Sequence, residues 1–144
     1  MRINGKWLLC DDDVVRPVIR GELLAGDGSW KAVEFLVDVG ADRTVLNADI
    51  LSKLGLPLLE AAEGLSGLGG GTDSVEIETK LHLTRDTGSP VAFSSRWAAV
   101  TELAALDLCV LGRDLTDLFA VIIDRPGAVV CLLSQRHRYT IVQD

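Results

Sequence analysis

A mainly β domain with two short helices is the fold class that the 144-residue sequence predicts. Three observations carry this. Val75, Ile77, Thr79, Leu81 and Leu83 alternate with Glu76, Glu78, Lys80 and His82, a period of two that sets one strand face on a core and the other in water. Two apolar runs, Val14 to Leu24 and Trp30 to Val37, flank Ala25-Gly26-Asp27-Gly28-Ser29, and because Gly and Asp tolerate positive φ the pair reads as a hairpin. Helix signals, by contrast, occur in only two short stretches.

The elements follow in order. Pro17 has no N–H to give a ladder, so it belongs at an edge or at the start of its strand. Asn47 caps a helix over Ala48 to Leu54, with Gly55 past its end and Pro57 stopping it. A second helix is expected over Arg113 to Phe119, with Leu115, Leu118 and Phe119 on one side. Ala120 to Asp124 and Ala128 to Leu133 flank Arg125-Pro126-Gly127, and Pro followed by Gly suits the two central positions of a type II turn. Arg138 to Val142 adds a last strand. With no linker composition and no internal repeat, residues 1–144 read as a single domain.

Composition excludes several classes of function. Acids outnumber bases by 21 to 14, a net charge of −7, which repels a phosphate backbone, so no nucleic-acid partner is expected. No apolar run nears the roughly 18–20 residues that span a bilayer, and the start Met1-Arg2-Ile3-Asn4-Gly5-Lys6 has no apolar signal region, so no membrane association and a cytoplasmic location are expected. Cys10, Cys109 and Cys131, odd in number and without CxxC spacing, read as buried free thiols in a reducing compartment. There is no GxSxG elbow for a serine hydrolase and no HExxH or paired-Cys pattern for a metal. His82 and His137 read as solvated, Trp7, Trp30 and Trp97 as core or interface anchors, and Asp11-Asp12-Asp13 as a solvated loop entry.

Three segments are candidates for chemistry. In Phe35-Leu36-Val37-Asp38-Val39-Gly40-Ala41-Asp42 an apolar strand runs into an acid and a permissive Gly-Ala corner, so Asp38 either opens a turn or is a poorly solvated functional carboxylate. Gly64-Leu65-Ser66-Gly67-Leu68-Gly69-Gly70-Gly71 matches no phosphate loop; it is a hairpin tip or a lid whose amides hydrogen-bond an extended ligand. Leu108-Cys109-Val110-Leu111-Gly112-Arg113-Asp114-Leu115 is a strand ending in Gly at a charged helix start.

Together and in this order, the three resemble the retropepsin-like aspartic proteases, single-domain proteins similar to retroviral proteases. That family has Asp-Thr/Ser-Gly-Ala at a strand end, then a glycine-rich flap, then two apolar residues followed by Gly-Arg-Asp/Asn. Here Asp38-Val39-Gly40-Ala41, Gly67-Leu68-Gly69-Gly70 and Val110-Leu111-Gly112-Arg113-Asp114 look like these motifs, and Asp42-Arg43-Thr44-Val45-Leu46 is similar to the run after the catalytic turn. The resemblance covers roughly residues 15–133. It implies a closed, Greek-key-like acid-protease half-barrel, homodimeric, with Asp38 catalytic. Val39, Gly40, Ala41, Asp42, Gly112 and Arg113 would support the site, and Gly67, Leu68, Gly69 and Gly70 would form the substrate-binding flap. The implied activity is hydrolysis of an extended peptide or protein by water held between Asp38 and its two-fold mate, with no cofactor and no metal. Val39 stands where the family carries a hydroxyl that bonds across the dimer. A non-catalytic dimeric module that binds peptides in the same groove is the alternative, since an architecture does not fix an activity. The resemblance further implies an Asp42–Arg113 ion pair, and the runs Val129 to Leu133 and Tyr139 to Val142 are candidate intersubunit strands.

Overall fold

Two long antiparallel hairpins dominate the computed structural model, which describes residues 1–61, 65–67 and 70–134. In chain order the elements are β1 (Arg2–Asn4), β2 (Lys6–Leu9), β3 (Val15–Leu24), β4 (Trp30–Val37), β5 (Val45–Leu46), α1 (Ala48–Leu54), β6 (Leu59–Glu60), β7 (Leu65–Gly67), β8 (Gly70–Thr72), β9 (Ser74–Thr84), β10 (Pro90–Val100), β11 (Cys109–Leu111), α2 (Arg113–Thr116), β12 (Ala120–Asp124) and β13 (Val129–Leu133). The chain is mainly β, with two short helices among the described residues, as its sequence predicts. The expected strand over 138–142 lies outside the described residues.

Strands in the order β2-β3-β4-β11-β5-β10-β9-β6 make one sheet, and β3 also pairs with β9, which closes the sheet into a barrel. The β3–β4 hairpin turns where the glycines and Asp predict: Gly28 has φ +85, and the Asp27 carboxylate accepts from the Ser29 N–H at 2.9 Å and its hydroxyl at 2.6 Å. Those two bonds hold the Asp27 carboxyl below the usual carboxylate range. Pro17 faces β2, and β4 begins pairing with β3 only at Val18, so the missing N–H lies where the strand has one neighbour.

Alternation sorts each strand between two faces. Phe35, Val37, Leu46, Ile77, Trp97, Ala99, Cys109 and Leu111 enter the main core, with Trp97 giving its ring N–H to the Thr79 carbonyl at 3.0 Å. Their neighbours Val45, Ala98, Val100 and Val110 form a second apolar cluster on the opposite face. Burial pushes the Cys109 thiol up to about 11, and none of the three cysteines is in a disulfide. Cys10 is only half-buried, because it sits at a turn beside the acidic loop. In that loop Arg16 grips Asp12 through two bonds of 2.8 and 2.6 Å and lowers its carboxyl to about 2.

Four expectations change. The second helix stops at Thr116 rather than Phe119. Leu118 and Phe119 instead donate to carbonyls three residues back, and this tighter turn leaves Leu118 60% exposed while Phe119 packs on the core. Glu76 is not on a wet face: it is 4% exposed, between two arginines. β13 offers no open edge over Cys131–Leu133, because β1 and β12 bond it on both sides within its own chain. Its partner in the intersubunit expectation, 139–142, lies outside the described residues.

The turn after β12 is not type II. Gly127 is absent from the positive-φ glycines, its N–H donates to the Asp124 carboxylate at 2.9 Å, and the left-handed conformation falls on Ala128 at φ 54. A Cβ at Gly127 would run into that carboxylate, so a larger residue there would displace the exposed Asp124 side chain. Left-handed backbone strains a side chain by about 1 kcal/mol relative to glycine. Ala128→Gly is therefore expected to raise stability by up to about 1 kcal/mol in denaturant unfolding, and a loss of stability would contradict this assignment.

Candidate active site

Asp38 directly follows β4, and its N–H donates to the Leu111 carbonyl at 3.2 Å, extending the β4–β11 ladder by one residue. Continued alternation puts its side chain on the face of Leu36, away from the main core. The Asp38 carboxylate accepts the Gly40 N–H at 2.9 Å, its carbonyl accepts the Ala41 N–H at 3.2 Å, and the side chain is half-buried. The acid is thus fixed by its own loop at an open end of the sheet. Val39 and Gly40 are exposed at the loop tip, Val39 at 56%.

The loop is anchored from β11 and α2. Gly112 packs so closely on Arg43 and Thr44 that a Cβ there would collide with their backbone. Thr44 is 1% exposed, and its hydroxyl accepts the Gly112 N–H at 3.1 Å while donating to Asp114 at 2.7 Å. The Asp114 carboxylate also takes the Thr44 N–H at 2.9 Å. Arg113 gives its N–H to the Ala41 carbonyl at 2.8 Å, and its guanidinium pairs with Asp42. That pair is open to water, with side chains 48% and 80% exposed, so the several kcal/mol of a buried pair do not apply. Arg113→Ala is expected to cost less than about 1 kcal/mol in equilibrium unfolding; a loss above about 3 kcal/mol would mean the pair is desolvated.

Sequence reasoning assigned no role to Thr44 or Asp114, the buried hinge of this anchor. Both residues fall in segments that carry the family resemblance, but nothing local pairs them, because they lie 70 residues apart.

Register aligns a floor beside the acid. Leu36 pairs with Val110, Val110 with Val45, Val45 with Ala98, Ala98 with Glu76, and Glu76 with Leu59. Directly paired residues share a face, so these side chains form one row across the sheet. Over its β4–β11 end opens a cleft of about 950 Å³, lined by Leu36, Val110 and Leu106 on its apolar side and by Asp12, Asp49 and Asp107 on its polar side; Asp38 stands outside this lining. Asp38 stands two residues beyond Leu36 at the end of this floor. The β7–β8 hairpin pairs Gly67 with Gly70 and leads through Asp73 into β9. Leu68 and Gly69, the other two expected flap residues, lie outside the described residues. Among the described residues no group of three or more His, Cys, Asp or Glu gathers to hold a metal ion, and no helix is long and apolar enough to cross a membrane.

No family model matches this sequence, and no curated protein matches it. Solved structures do. A retropepsin-like aspartic protease from Rickettsia conorii superimposes with a TM-score of 0.61 at 19% identity, over 92% of this chain and 98% of that one. The fold is that of the retropepsin-like aspartic proteases. EIAV protease complexed with the inhibitor HBY-793 is also similar, with a TM-score of 0.48 at 22% identity, over 71% of this chain and 86% of that one. In the retropepsin-like fold of this chain, two of the three sequence segments that suggested it meet at one place: Asp38, Gly112 and Arg113 lie within one hydrogen-bonded loop system beside an apolar floor.

Proposed function

We propose that this chain is an aspartic endopeptidase that works as a homodimer, with Asp38 from each subunit at the two-fold axis. The observation that carries this reading is the placement of Asp38: a half-buried carboxylate at the open end of a strand, its orientation set by the Gly40 N–H, beside an apolar floor in a retropepsin-like fold. One chain supplies one such acid, and a two-fold pair supplies two. Carboxylates a few Å apart do not both ionise cheaply, so one keeps a proton for the peptide carbonyl oxygen while the other takes a proton from the attacking water. Val39, apolar and exposed at the tip of the same loop, gives the second subunit a hydrophobic contact in place of a hydroxyl bond. Val39, Gly40, Ala41, Asp42, Gly112 and Arg113 hold the acid in place, and the glycine-rich β7–β8 hairpin serves as the flap over an extended substrate. The test is a peptide-library cleavage screen from pH 3 to 7, with wild type beside Asp38→Asn. Hydrolysis confined to wild type and strongest in acid supports the proposal. Peptide binding without cleavage by wild type would make the chain a binding module instead.

A further inference from the structure

The residues one step along the strands from the apolar row carry charge. Beside the row Leu36–Val110–Val45–Ala98–Glu76, Asp38 follows the end of β4, Gly112 follows β11, Arg43 precedes β5, and Arg96 pairs with Glu78. Arg43 and Arg96 both reach Glu76, so both lie on the face of the apolar row, the face to which alternation assigns Asp38. The close packing of Gly112 on the Arg43 backbone holds Arg43 against the loop system of Asp38.

Both arginines lean on one buried acid. Glu76 accepts Arg43 Nη1 at 3.1 Å on one oxygen and Arg96 Nε at 3.2 Å on the other. A carboxylate that is 4% exposed in an otherwise apolar row is costly unless it is paired, and two guanidiniums pair with it. Glu78 stands opposite Arg96 in register, and Asp42, next to Arg43, is engaged by Arg113. Arg43 is left in a different position. Among the described residues its guanidinium has Glu76 as its only hydrogen-bond partner, through one of five N–H donors, and its side chain is 30% exposed.

We infer that Arg43, braced by Glu76, is a specificity-determining residue that recognises a carboxylate side chain of the substrate. The inference rests on the reading of this face as a peptide cleft. Strands lie about 4.8 Å apart, and the start of β5 is two strands from the end of β4, so Arg43 is about 10 Å from Asp38 across the sheet. An extended peptide advances about 3.3 Å per residue, which puts the recognised Asp or Glu two or three residues from the scissile bond. Two-fold symmetry would repeat the reader on the other side of that bond. Bracing by Glu76 orients the fork before the ligand arrives, so less side-chain freedom is lost on binding.

The experiment uses synthetic peptides with one apolar centre and either Glu or Gln at each flanking position. Cleavage is measured with wild type, and binding to Asp38→Asn is measured by fluorescence anisotropy at pH 6, where a peptide Glu is ionised. A partly exposed ion pair amounts to about a fivefold preference for Glu at that position, in KM and in the dissociation constant, with kcat little changed. Arg43→Gln should abolish the preference and Arg43→Lys should keep part of it. Equal use of Glu and Gln peptides by wild type overturns the inference, whether or not the variants fold, and so does a preference that survives Arg43→Gln. In both cases the peptidase reading stands. If no peptide is cleaved or bound, both fall together.

Discussion

Asp38→Asn is expected to lower hydrolysis by about 10²–10⁴-fold or more while leaving the melting temperature unchanged. The amide is nearly isosteric with the carboxylate, and its oxygen can still accept the Gly40 N–H that fixes the side chain at 2.9 Å. The loop is also held by Asp38 backbone bonds to Leu111 and Ala41, which the substitution does not touch. What disappears is the group that gives up and takes back a proton, on both subunits of a two-fold pair at once. The two readouts separate chemistry from folding. Activity that survives the substitution would remove Asp38 from the mechanism, and a large loss of stability would make it a structural turn residue.

Asp114→Ala is expected to cost about 2–4 kcal/mol of stability. The carboxylate accepts the Thr44 N–H at 2.9 Å and the Thr44 hydroxyl at 2.7 Å, and Thr44 is almost fully buried. Truncation strands two buried donors, each costing about 1–3 kcal/mol when left unpaired. Thr44→Val keeps the shape and removes only the hydroxyl, so the Gly112 N–H loses its acceptor and a smaller loss of about 1–3 kcal/mol follows. Chemical denaturation of both variants checks the order. A stability change below about 0.5 kcal/mol for Asp114→Ala would mean water replaces the carboxylate and the anchor is not buried. Because this network ties α2 to the segment after Asp38, activity should fall with stability in Asp114→Ala, whereas Arg113→Ala should keep its stability.

Elements built from short-range rules were legible. Asn47 caps α1 through a side-chain bond to the Ile50 N–H at 3.0 Å, and Gly55 ends that helix in the left-handed conformation, both as the sequence predicts. The β3–β4 hairpin and the alternation of β9 likewise follow from short-range patterns, whereas β10, which pairs with β9 along its whole length, was not read from the sequence. The second helix and the Arg125–Ala128 turn were misjudged where competition decided. A core position for Phe119 outweighs one more helical turn, and an Asp124 carboxylate bonded to the Gly127 N–H outweighs the usual Pro-Gly preference.

For the site, the local order of residues determined which ones are candidates: an acid at the end of an apolar strand, a glycine-rich segment, and Gly112-Arg113 before a helix. Only the tertiary structure decided their neighbours. Glu76 reads as one of four polar residues on a wet face, yet pairing with β10 and β6 covers it, and Arg43 and Arg96 close over its two oxygens. Thr44 and Asp114 meet across 70 residues, and β13 is enclosed by strands from both ends of the chain. Alternation and capping depend on residues within a few positions, which a sequence displays directly. Burial of a charge and occupancy of a strand edge depend on which strands become neighbours, and the closed sheet sets that.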